Sequence, residues 1–436
     1  MLQSIVMKMK NAGLIFLIIF LFLFRLFFAF NFWHPDVTNH MDWGTRFWQY
    51  GPAKFYEANV WSFTWPNQPP GTMYLMAGVR KLFEFVFWMF WVVNVKVPAF
   101  PSGIISYFET NLYPALLHLP SILADFGIAY ILYISIKNFL NKESLGKWAA
   151  IIFLLNPFVW YNSSLWGQYD SVINFFAMLS FYLLIKRKLF WAVFVFGLSV
   201  YTKVSLLIFA PIFFIVLSRQ NYKLFEVVRT FVFWALIFGL ITLPFSHGEP
   251  YRFLFYLYKD KVLTNQLQVV SANAFNLWGA LFGVKDSAVE ISHNLLLGPF
   301  SYKVWGFILF LLSYIPAIRL VYKKQDVESI FWSLAIVAIS SFMLLTNMHE
   351  RYLYPLFPYF TFLIAVRPNL RWAYWTLTLL GLVNMYNFWF YPKAGWAMSL
   401  LSVNDNLVPR IAAIVSFGIF IFIYTNFLRH LRSQKI

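Results

Sequence analysis

Long apolar runs recur along almost the whole chain and restrict the folds that it can adopt. Two examples are LIFLIIFLFLFRLFFAF at 14–30 and IFWSLAIVAISSFMLL at 330–345. A run of about 18 or more apolar residues can cross the roughly 30 Å hydrocarbon core of a bilayer as a helix. The composition agrees, since 61% of the residues are hydrophobic and only 12% are charged. The sequence therefore predicts an all-α, polytopic integral membrane protein.

The apolar runs predict about twelve transmembrane helices. They lie at about 13–31, 112–136, 148–161, 171–185, 189–202, 204–217, 230–245, 301–318, 330–346, 352–366, 372–391 and 409–427. Two connections are long, at roughly 32–111 and 246–300. No segment is long enough for a separate soluble domain, so residues 1–436 are predicted to form a single transmembrane domain. Arg80 and Lys81 interrupt an apolar segment of the first loop, which favours helices lying in the outer membrane interface.

A net charge of +17 could indicate nucleic-acid binding, but the distribution of the charge along the chain favours another explanation. Most of the excess Lys and Arg falls in the short loops on the side of the N terminus, whereas the two long loops are nearly neutral. This asymmetry is typical of the positive-inside rule. It predicts that both termini are cytoplasmic, that the long loops lie on the outer face, and that nucleic acid is not a partner. The absence of cysteine excludes disulfides and thiol catalysis.

With this topology, the most concentrated polar residues fall on the outer face. They are Asp36, Asp42, Asn67, Gln68, Gln168, Asp170, Lys203, His349, Glu350 and Arg351. A carboxylate above the membrane surface could take a proton from a hydroxyl nucleophile. A lysine could pair with a phosphate, and the rings of Trp166 and Tyr169 could offer flat faces to a sugar. The convergence of these residue types on one face predicts a functional site there.

Each of these residues also has a structural interpretation. Asp36 and Asp42 could be solvated loop carboxylates, and Asp170 could cap the helix that follows it. Lys203, at the end of a helix, could extend to the membrane surface. His118 and Asp125 share a helix face within a predicted span, where pairing with other side chains is the expected role.

The segment MHERYLYP at 348–355 is the most specific polar motif of the chain. An arginine fork can bind phosphate through two parallel hydrogen bonds, and a neighbouring histidine can add another. We therefore interpret His349 and Arg351 as phosphate ligands, with Glu350 orienting the guanidinium. A purely structural ion pair is the alternative.

Several segments resemble the multi-spanning GT-C glycosyltransferases, most closely the bacterial and archaeal proteins related to GPI mannosyltransferases. In the first outer loop the resemblance rests on Asp36, Trp43, Gly51, Phe55-Tyr56 and the segment PPGTMYL at 69–75. It continues through LHLPSILADFGIAYILY at 117–133, NPFVWYNSSLWGQYDS at 156–171, TKVSLLIFAPIF at 202–213, SANAFNLWGAL at 271–281 and MHERYLYP. The motifs cover most of the chain in the expected order.

The resemblance implies transfer of a sugar from a polyprenyl-phosphate donor to a glycan, lipid or protein acceptor on the non-cytoplasmic face. It implies Asp36 as the catalytic base and a bacterial or archaeal plasma membrane as the location. Relatives often carry an acidic residue where this chain has Asn67, and Asp42 is a candidate for a second carboxylate. The resemblance favours mannose, and with a single base the anomeric configuration is expected to invert.

The full set of predicted site residues follows from these arguments. Arg351, His349 and Lys203 are assigned to the donor phosphate, and the substrate-binding candidates are Asn67, Trp166, Gln168, Tyr169, Asp170, Asn276, Glu350 and Tyr352. No metal ligand and no cofactor are assigned, and the sequence leaves a divalent cation open. The alternative function is a twelve-span transporter or lipid flippase, which Arg25, His118 and Asp125 inside the spans would suit.

Overall fold

A computed structural model describes residues 11–57, 61–264, 267–284, 290–404 and 406–433. Within these ranges the fold is built from helices, apart from one hairpin of β1 Leu296–Leu297 and β2 Phe300–Ser301. The helices are α1 Asn11–Asn31, α2 Asp36–Phe55, α3 Pro70–Lys96, α4 Gly103–Leu140, α5 Glu143–Leu155, α6 Pro157–Tyr161, α7 Asp170–Ile185, α8 Leu189–Thr202, α9 Ala210–Ser218, α10 Leu224–Thr242, α11 Pro250–Tyr256, α12 Leu277–Phe282, α13 Tyr302–Lys323, α14 Val327–Leu344, α15 Leu356–Val366, α16 Arg371–Tyr386, α17 Gly395–Leu401 and α18 Leu407–Ser433. Tighter or wider helical turns occupy Asn162–Trp166, Val204–Phe209, Leu243–Phe245, Leu257–Thr264, Glu350–Leu353 and Pro368–Leu370.

In the part of the chain that the structure describes, six helices are long and apolar enough to cross a membrane. These are α1, α4, α10 with the turn that follows it, α13, α14 and α18. The other six predicted spans also coincide with helical segments, but those segments are short or interrupted. For example, α5 has 13 residues, or about 20 Å at 1.5 Å per residue. The chain is thus an all-α multi-pass membrane protein, and the count of twelve crossings stays a prediction.

The burial of the helices shows which of them form the centre. Every residue of α14 except Glu328 is buried, as expected for a helix with apolar side chains on all its faces. By contrast, α1 and α10 expose large apolar side chains such as Phe16, Phe20 and Leu240. A helix that is apolar on its exposed face is suited to contact with lipid. We therefore place α14 at the centre of the bundle, with α1 and α10 at its periphery.

The segment predicted as the first outer loop contains two helices, α2 and α3. In α3 the side chains of Arg80 and Lys81 both pair with Glu84, at 3.0 and 2.7 Å, and this helix is not among the six long apolar ones. Its location in the membrane interface stays a prediction. The next helix, α4, begins at Gly103 rather than near residue 112, because its first turns carry polar residues that hide the helix from a hydropathy pattern.

The segment predicted as the second outer loop is also largely structured. It holds α11, the turn Leu257–Thr264, α12 and the hairpin, while residues 265–266 and 285–289 lie outside the described part. The backbone amide of Ala272 bonds to the carbonyl of Met348 at 3.0 Å. A backbone hydrogen bond therefore fixes the second loop to the segment that precedes Glu350 and Arg351.

Candidate functional site

Polar side chains from five separate segments meet beside the start of α2. The segments are the first turn of α2, the loop after Asn162–Trp166, the start of α7, the residue after α8 and the turn Glu350–Leu353. They contribute Asp36, Trp166, Gln168, Asp170, Lys203, Glu350, Arg351 and Tyr352. All eight were predicted as site residues. We call this group the Asp36–Arg351 cluster.

Asp36 is held by two side-chain hydrogen bonds to the same carboxylate oxygen. Trp166 Nε1 donates to Oδ2 at 2.9 Å and Gln168 Nε2 donates to it at 2.6 Å. Asp36 is also the first residue of α2, where the helix dipole favours a negative charge. Its side chain is 21% exposed. The carboxylate is therefore fixed in place and still accessible from outside.

Arg351 is surrounded by three carboxylates but bonds closely to only one. Its Nη1 donates to Glu350 Oε1 at 3.1 Å, whereas its distances to Asp36 Oδ2 and Asp170 Oδ2 are 3.9 and 4.0 Å. Its Nε is buried and has no hydrogen-bond partner among the described residues. The guanidinium carbon also lies 5.5 Å from the ring centre of Tyr352. Arg351 thus carries a positive charge with N–H donors still available.

Lys203 and Asp170 form the second ion pair of the cluster. Nζ of Lys203 lies 2.6 Å from Oδ1 of Asp170, and the side chains are only 13% and 6% exposed. The ammonium also lies 5.5 Å from the ring centre of Tyr352. Lys203 therefore points into the site and does not extend to the surface. Asp170 begins α7, but no side-chain bond caps that helix, so both structural interpretations of these residues were wrong.

The loop that carries Trp166 and Gln168 depends on a glycine between them. Gly167 has a φ of +69°, a conformation that costs little only for glycine. A Cβ at this position would lie 2.6 Å from Val37 Cγ2 and 2.9 Å from His118 Nε2. Gly167 therefore allows the loop to turn and to approach the start of α2 closely, which brings the donors of Trp166 and Gln168 to Asp36.

Two opposing effects set the charge of Asp36. Burial would raise the pKa of its carboxyl, but the charge of Arg351 and the hydrogen bond from Trp166 contribute to lowering it, and the pKa falls from 3.8 to about 2. Asp36 is therefore ionised at neutral pH. As long as no ligand offsets the charge of Arg351, the Asp36 carboxylate is a weak base.

Glu350 behaves in the opposite way. Its side chain is 2% exposed, and burial raises its pKa from 4.5 to about 7 although the charge of Arg351 acts against this. Near neutral pH the carboxyl is therefore divided between its protonated and ionised forms. The protonation of Glu350 changes how strongly it holds Arg351.

Two histidines beside the cluster are neutral at pH 7. Burial, together with the charge of Arg351, lowers the pKa of His349 to about 3, so this residue could offer a phosphate a hydrogen bond but not a charge. His34, which the sequence reasoning did not select, accepts a bond at Nδ1 from the backbone N–H of Asp36 at 3.1 Å. Its ring stacks on Trp166 with 4.1 Å between ring centres. The sequence feature that could have identified His34 is its position two residues before Asp36.

Four predicted site residues lie outside this network. Asp42 accepts from Arg46 Nε at 2.6 Å, and Asn276 caps α12 by accepting from the Gly279 amide at 3.0 Å. The ring of Tyr169 stacks on His40 with 5.0 Å between centres. Among the described contacts, no hydrogen bond or ion pair joins Asn67 to the Asp36–Arg351 cluster. Local partners account for Asp42 and Asn276, which leaves their substrate roles as predictions.

The polar groups inside the membrane helices bind one another. Arg25 in α1 pairs with Asp125 in α4, and Tyr354 also donates to Asp125. The second terminal nitrogen of Arg25 donates to the Leu154 carbonyl at 2.9 Å. His118 has its Nδ1 2.7 Å from the Pro114 carbonyl. These groups therefore have structural partners, as predicted for Asp125.

A cavity of about 400 Å³ lies between the two segments predicted as outer loops. Aromatic side chains and carboxylates line it together, among them Tyr56, Trp65, Phe253, Glu57 and Glu249. Aromatic faces and carboxylate acceptors are the groups that bind sugar rings and hydroxyls. Within the described ranges, no group of three or more His, Asp or Glu side chains is arranged to hold a metal ion.

Comparison with known proteins gives one informative match. The family described as GPI transamidase subunit PIG-U matches residues 68–272, which is less than half of the chain. The matched stretch contains Trp166, Gln168, Asp170 and Lys203 but neither Asp36 nor Arg351. No curated protein matches the chain with statistical significance. The middle of the chain is therefore similar to a GPI transamidase subunit.

Proposed function

We propose that the protein is a membrane glycosyltransferase that moves a hexose, with mannose favoured, from a polyprenyl-phosphate donor to an acceptor hydroxyl on the non-cytoplasmic face. The observation that carries this proposal is the Asp36–Arg351 cluster, in which a carboxylate and a guanidinium lie 3.9 Å apart. A donor whose lipid tail stays in the bilayer would present its phosphate near the ends of membrane helices. The cluster supplies a base and a cation at such a place.

Arg351 is the group best suited to the donor phosphate. Its Nε is without a hydrogen-bond partner in the described structure, and its contacts with Asp36 and Asp170 are longer than hydrogen bonds. A phosphate could therefore accept two parallel N–H bonds from the guanidinium without breaking a strong one. His349, which is neutral because of burial, would add a hydrogen bond. Lys203, which is bonded to Asp170, would add positive charge nearby.

Phosphate binding would also turn Asp36 into a better base. The charge of Arg351 is a main reason why the pKa of Asp36 is low. An anion bound to the guanidinium offsets that charge, so the pKa of Asp36 should rise when the donor is present. Basicity would then develop only in the complex that can react, which limits loss of the donor to side reactions.

The reaction is a substitution at the anomeric carbon. Asp36 takes the proton of the acceptor hydroxyl, and the acceptor oxygen forms a bond to the anomeric carbon as an oxocarbenium-like centre develops. The bond from that carbon to the phosphate oxygen breaks, and its electron pair leaves with the lipid phosphate, where Arg351 stabilises the added charge. A single displacement inverts the anomeric configuration.

A second candidate function is that of a non-catalytic membrane subunit that binds a glycolipid. The match of residues 68–272 to a GPI transamidase subunit favours it, and so does the low pKa of Asp36 in the free protein. Such a protein would use Arg351 and Lys203 to bind a lipid phosphate without transferring the sugar. The third candidate, a transporter, has less support because Arg25 and Asp125 form an ion pair with each other.

The test uses purified protein and a panel of synthetic polyprenyl-phosphate sugars, with both binding and transfer measured. We expect transfer from one donor by the natural sequence and unchanged transfer by the control Glu84→Gln, which alters an ion pair of α3. Asp36→Asn should bind the donor but transfer the sugar at least about a hundredfold more slowly. Donor binding without any transfer by the natural sequence would favour the non-catalytic subunit. Neither binding nor transfer, in folded protein, would contradict both functions.

A further inference from the structure

A second polar cavity lies at the far end of α15 from the Asp36–Arg351 cluster. Its volume is about 240 Å³. The side chains that line it come from the first turns of α14, the turn after α15 and the last turns of α18, and they include Trp332, Arg367, Asn369, Asn426, Arg429 and His430. None of these residues belongs to the site described above.

Two ring nitrogens in the wall of this cavity have no partner among the described residues. They are Nε1 of Trp332 and Nε2 of His430, in side chains of residues that are 2% and 8% exposed. Nδ1 of His430 lies 3.3 Å from Nη2 of Arg367, and a guanidinium can only donate. Nδ1 is therefore the acceptor, and the neutral ring carries its proton on Nε2. Two residues that line the cavity thus carry buried N–H donors without an acceptor among the described residues.

The charge of the wall has one sign. Arg367 and Arg429 both line the cavity, and its described lining contains no carboxylate. Arg367 is bonded to Glu328 at 2.7 Å through Nε, whereas Arg429 forms no ion pair with a described residue. Guanidinium and N–H donors around a cavity whose described lining has no carboxylate favour an anionic, oxygen-rich ligand.

Two apolar side chains, Trp372 and Phe422, lie within a few residues along the chain of Leu370 and Asn426, which line this cavity. Trp372 is 51% exposed, and its ring centre lies 4.6 Å from that of Phe422. Phe422 is one helical turn before Asn426, which donates to its carbonyl at 2.9 Å. A ligand with its head in the cavity could therefore extend an acyl chain along Trp372. The positive-inside pattern places this end of the bundle at the cytoplasmic leaflet, where anionic lipids attract basic groups.

We propose that this cavity binds the phosphate group of an anionic phospholipid. Arg429 and the N–H groups of Trp332 and His430 would hold the phosphate oxygens, and Trp372 would contact the acyl chains. Free inorganic phosphate shares the same recognition chemistry, and the test separates the two sources. The proposal does not depend on the glycosyltransferase function, because it concerns residues at the other end of α15.

The test is native mass spectrometry of the full-length protein in detergent, titrated with short-chain phosphatidylglycerol and, separately, with short-chain phosphatidylcholine. We compare Arg429→Gln with the matched control Arg432→Gln. Both residues are exposed in the last turns of α18, but only Arg429 lines the cavity. We expect phosphatidylglycerol to bind more tightly than phosphatidylcholine, because Arg367 and Arg429 repel the choline cation. We expect Arg429→Gln to weaken the binding of phosphatidylglycerol about tenfold. The control should change binding by less than about twofold.

Inorganic phosphate is then added as a competitor. Displacement of phosphatidylglycerol at millimolar phosphate would show that the phosphate group alone suffices for binding. No displacement would show that the acyl chains contribute and that the source is the membrane. Equal affinity for the two lipids, or equal weakening by the two variants, would overturn the proposal. Because both arginines are exposed, neither substitution should disturb folding, which thermal unfolding of each variant checks.

Discussion

Nη1 of Arg351 lies 3.9 Å from Oδ2 of Asp36 in this protein, and no hydrogen bond joins them. The carboxylate oxygen already accepts from Trp166 and Gln168, so Arg351 acts on it through charge. A contact of this kind can open for a ligand at little cost, because no short hydrogen bond has to break. The relationship accounts both for the low pKa of Asp36 and for the N–H donors that remain on Arg351.

Replacing Arg351 should weaken donor binding. We expect Arg351→Ala to lower the affinity for a polyprenyl-phosphate sugar by about 2–3 kcal/mol, the value of hydrogen bonds to a charged partner. Arg351→Lys should recover only part of this, since an ammonium lacks the planar fork. Equilibrium binding of a fluorescent donor analogue measures the effect. Arg80→Ala, which alters an ion pair in α3, serves as the control, and an equal loss in that variant would argue against a specific role for Arg351.

The raised pKa of Glu350 predicts a pH-dependent stability. In the unfolded chain this carboxyl ionises near 4.5, but in the folded protein it ionises near 7. Its contribution to folding is therefore complete below pH 4.5, is lost as the pH rises to about 7, and is constant above that. Glu350→Gln should abolish this change, which is on the order of 3 kcal/mol.

Thermal unfolding between pH 4.5 and 8 measures this contribution. Asp36 does not interfere, because its pKa is lowered and its own contribution is lost only as the pH falls from about 4 to about 2. Burial lowers the pKa of His34 and His349 below 6.5, so both contribute in this range, but they do so in both proteins and cancel in the difference. If the natural sequence and Glu350→Gln show the same pH profile, Glu350 does not have a raised pKa in the folded protein.

The buried pair of Arg25 and Asp125 should show strong non-additivity. Asp125→Leu leaves a guanidinium unpaired within the membrane helices, which costs about 3–5 kcal/mol. Removing both charges in Arg25→Leu/Asp125→Leu should restore most of that stability, because two apolar side chains can replace a buried ion pair. Denaturant unfolding of the single and double variants forms the cycle. Retained sugar transfer in the double variant would also argue against a transport role for these charges.

Substituting Gly167 should damage both folding and the site. Gly167→Ala adds a Cβ that would lie 2.6 Å from Val37, at a residue whose φ of +69° already disfavours a side chain. We expect a loss of about 1–3 kcal/mol in the free energy of unfolding. The loop that carries Trp166 and Gln168 should also move away from Asp36. Gly78→Ala is the control, because a Cβ there meets nothing within 4 Å, and similar losses in the two variants would contradict this explanation.

The helices of this fold could be predicted from hydropathy, and most of the cluster from the convergence of polar residues on one face. Each predicted span coincides with a helical segment, because apolar runs and their polar ends are properties of local sequence. The polar ends of these runs were also the reason why the sequence could select Trp166, Gln168, Asp170, Lys203 and Arg351. Whether the short helices cross the membrane cannot be read from composition, since α5 is too short to span it alone.

The partners of each charged group could not be predicted, because they come from distant parts of the chain. Asp36 meets donors some 130 residues away, and Arg25 meets Asp125 across 100 residues. Asp42 and Asp36 look alike in the sequence, yet Asp42 bonds to Arg46 one turn later while Asp36 faces Arg351. His34 was missed because its role depends on the position of Trp166, which only the folded structure gives.

The central claim is that Asp36 removes the proton of the acceptor while Arg351 holds the donor phosphate. The most direct test is the rate of sugar transfer by Asp36→Asn at saturating donor, measured together with the dissociation constant of the donor. We predict that the rate falls by about 10²–10⁴, the usual contribution of a general base, and that donor binding is not weakened. An Asp36→Asn enzyme that transfers sugar at the full rate would contradict the assignment.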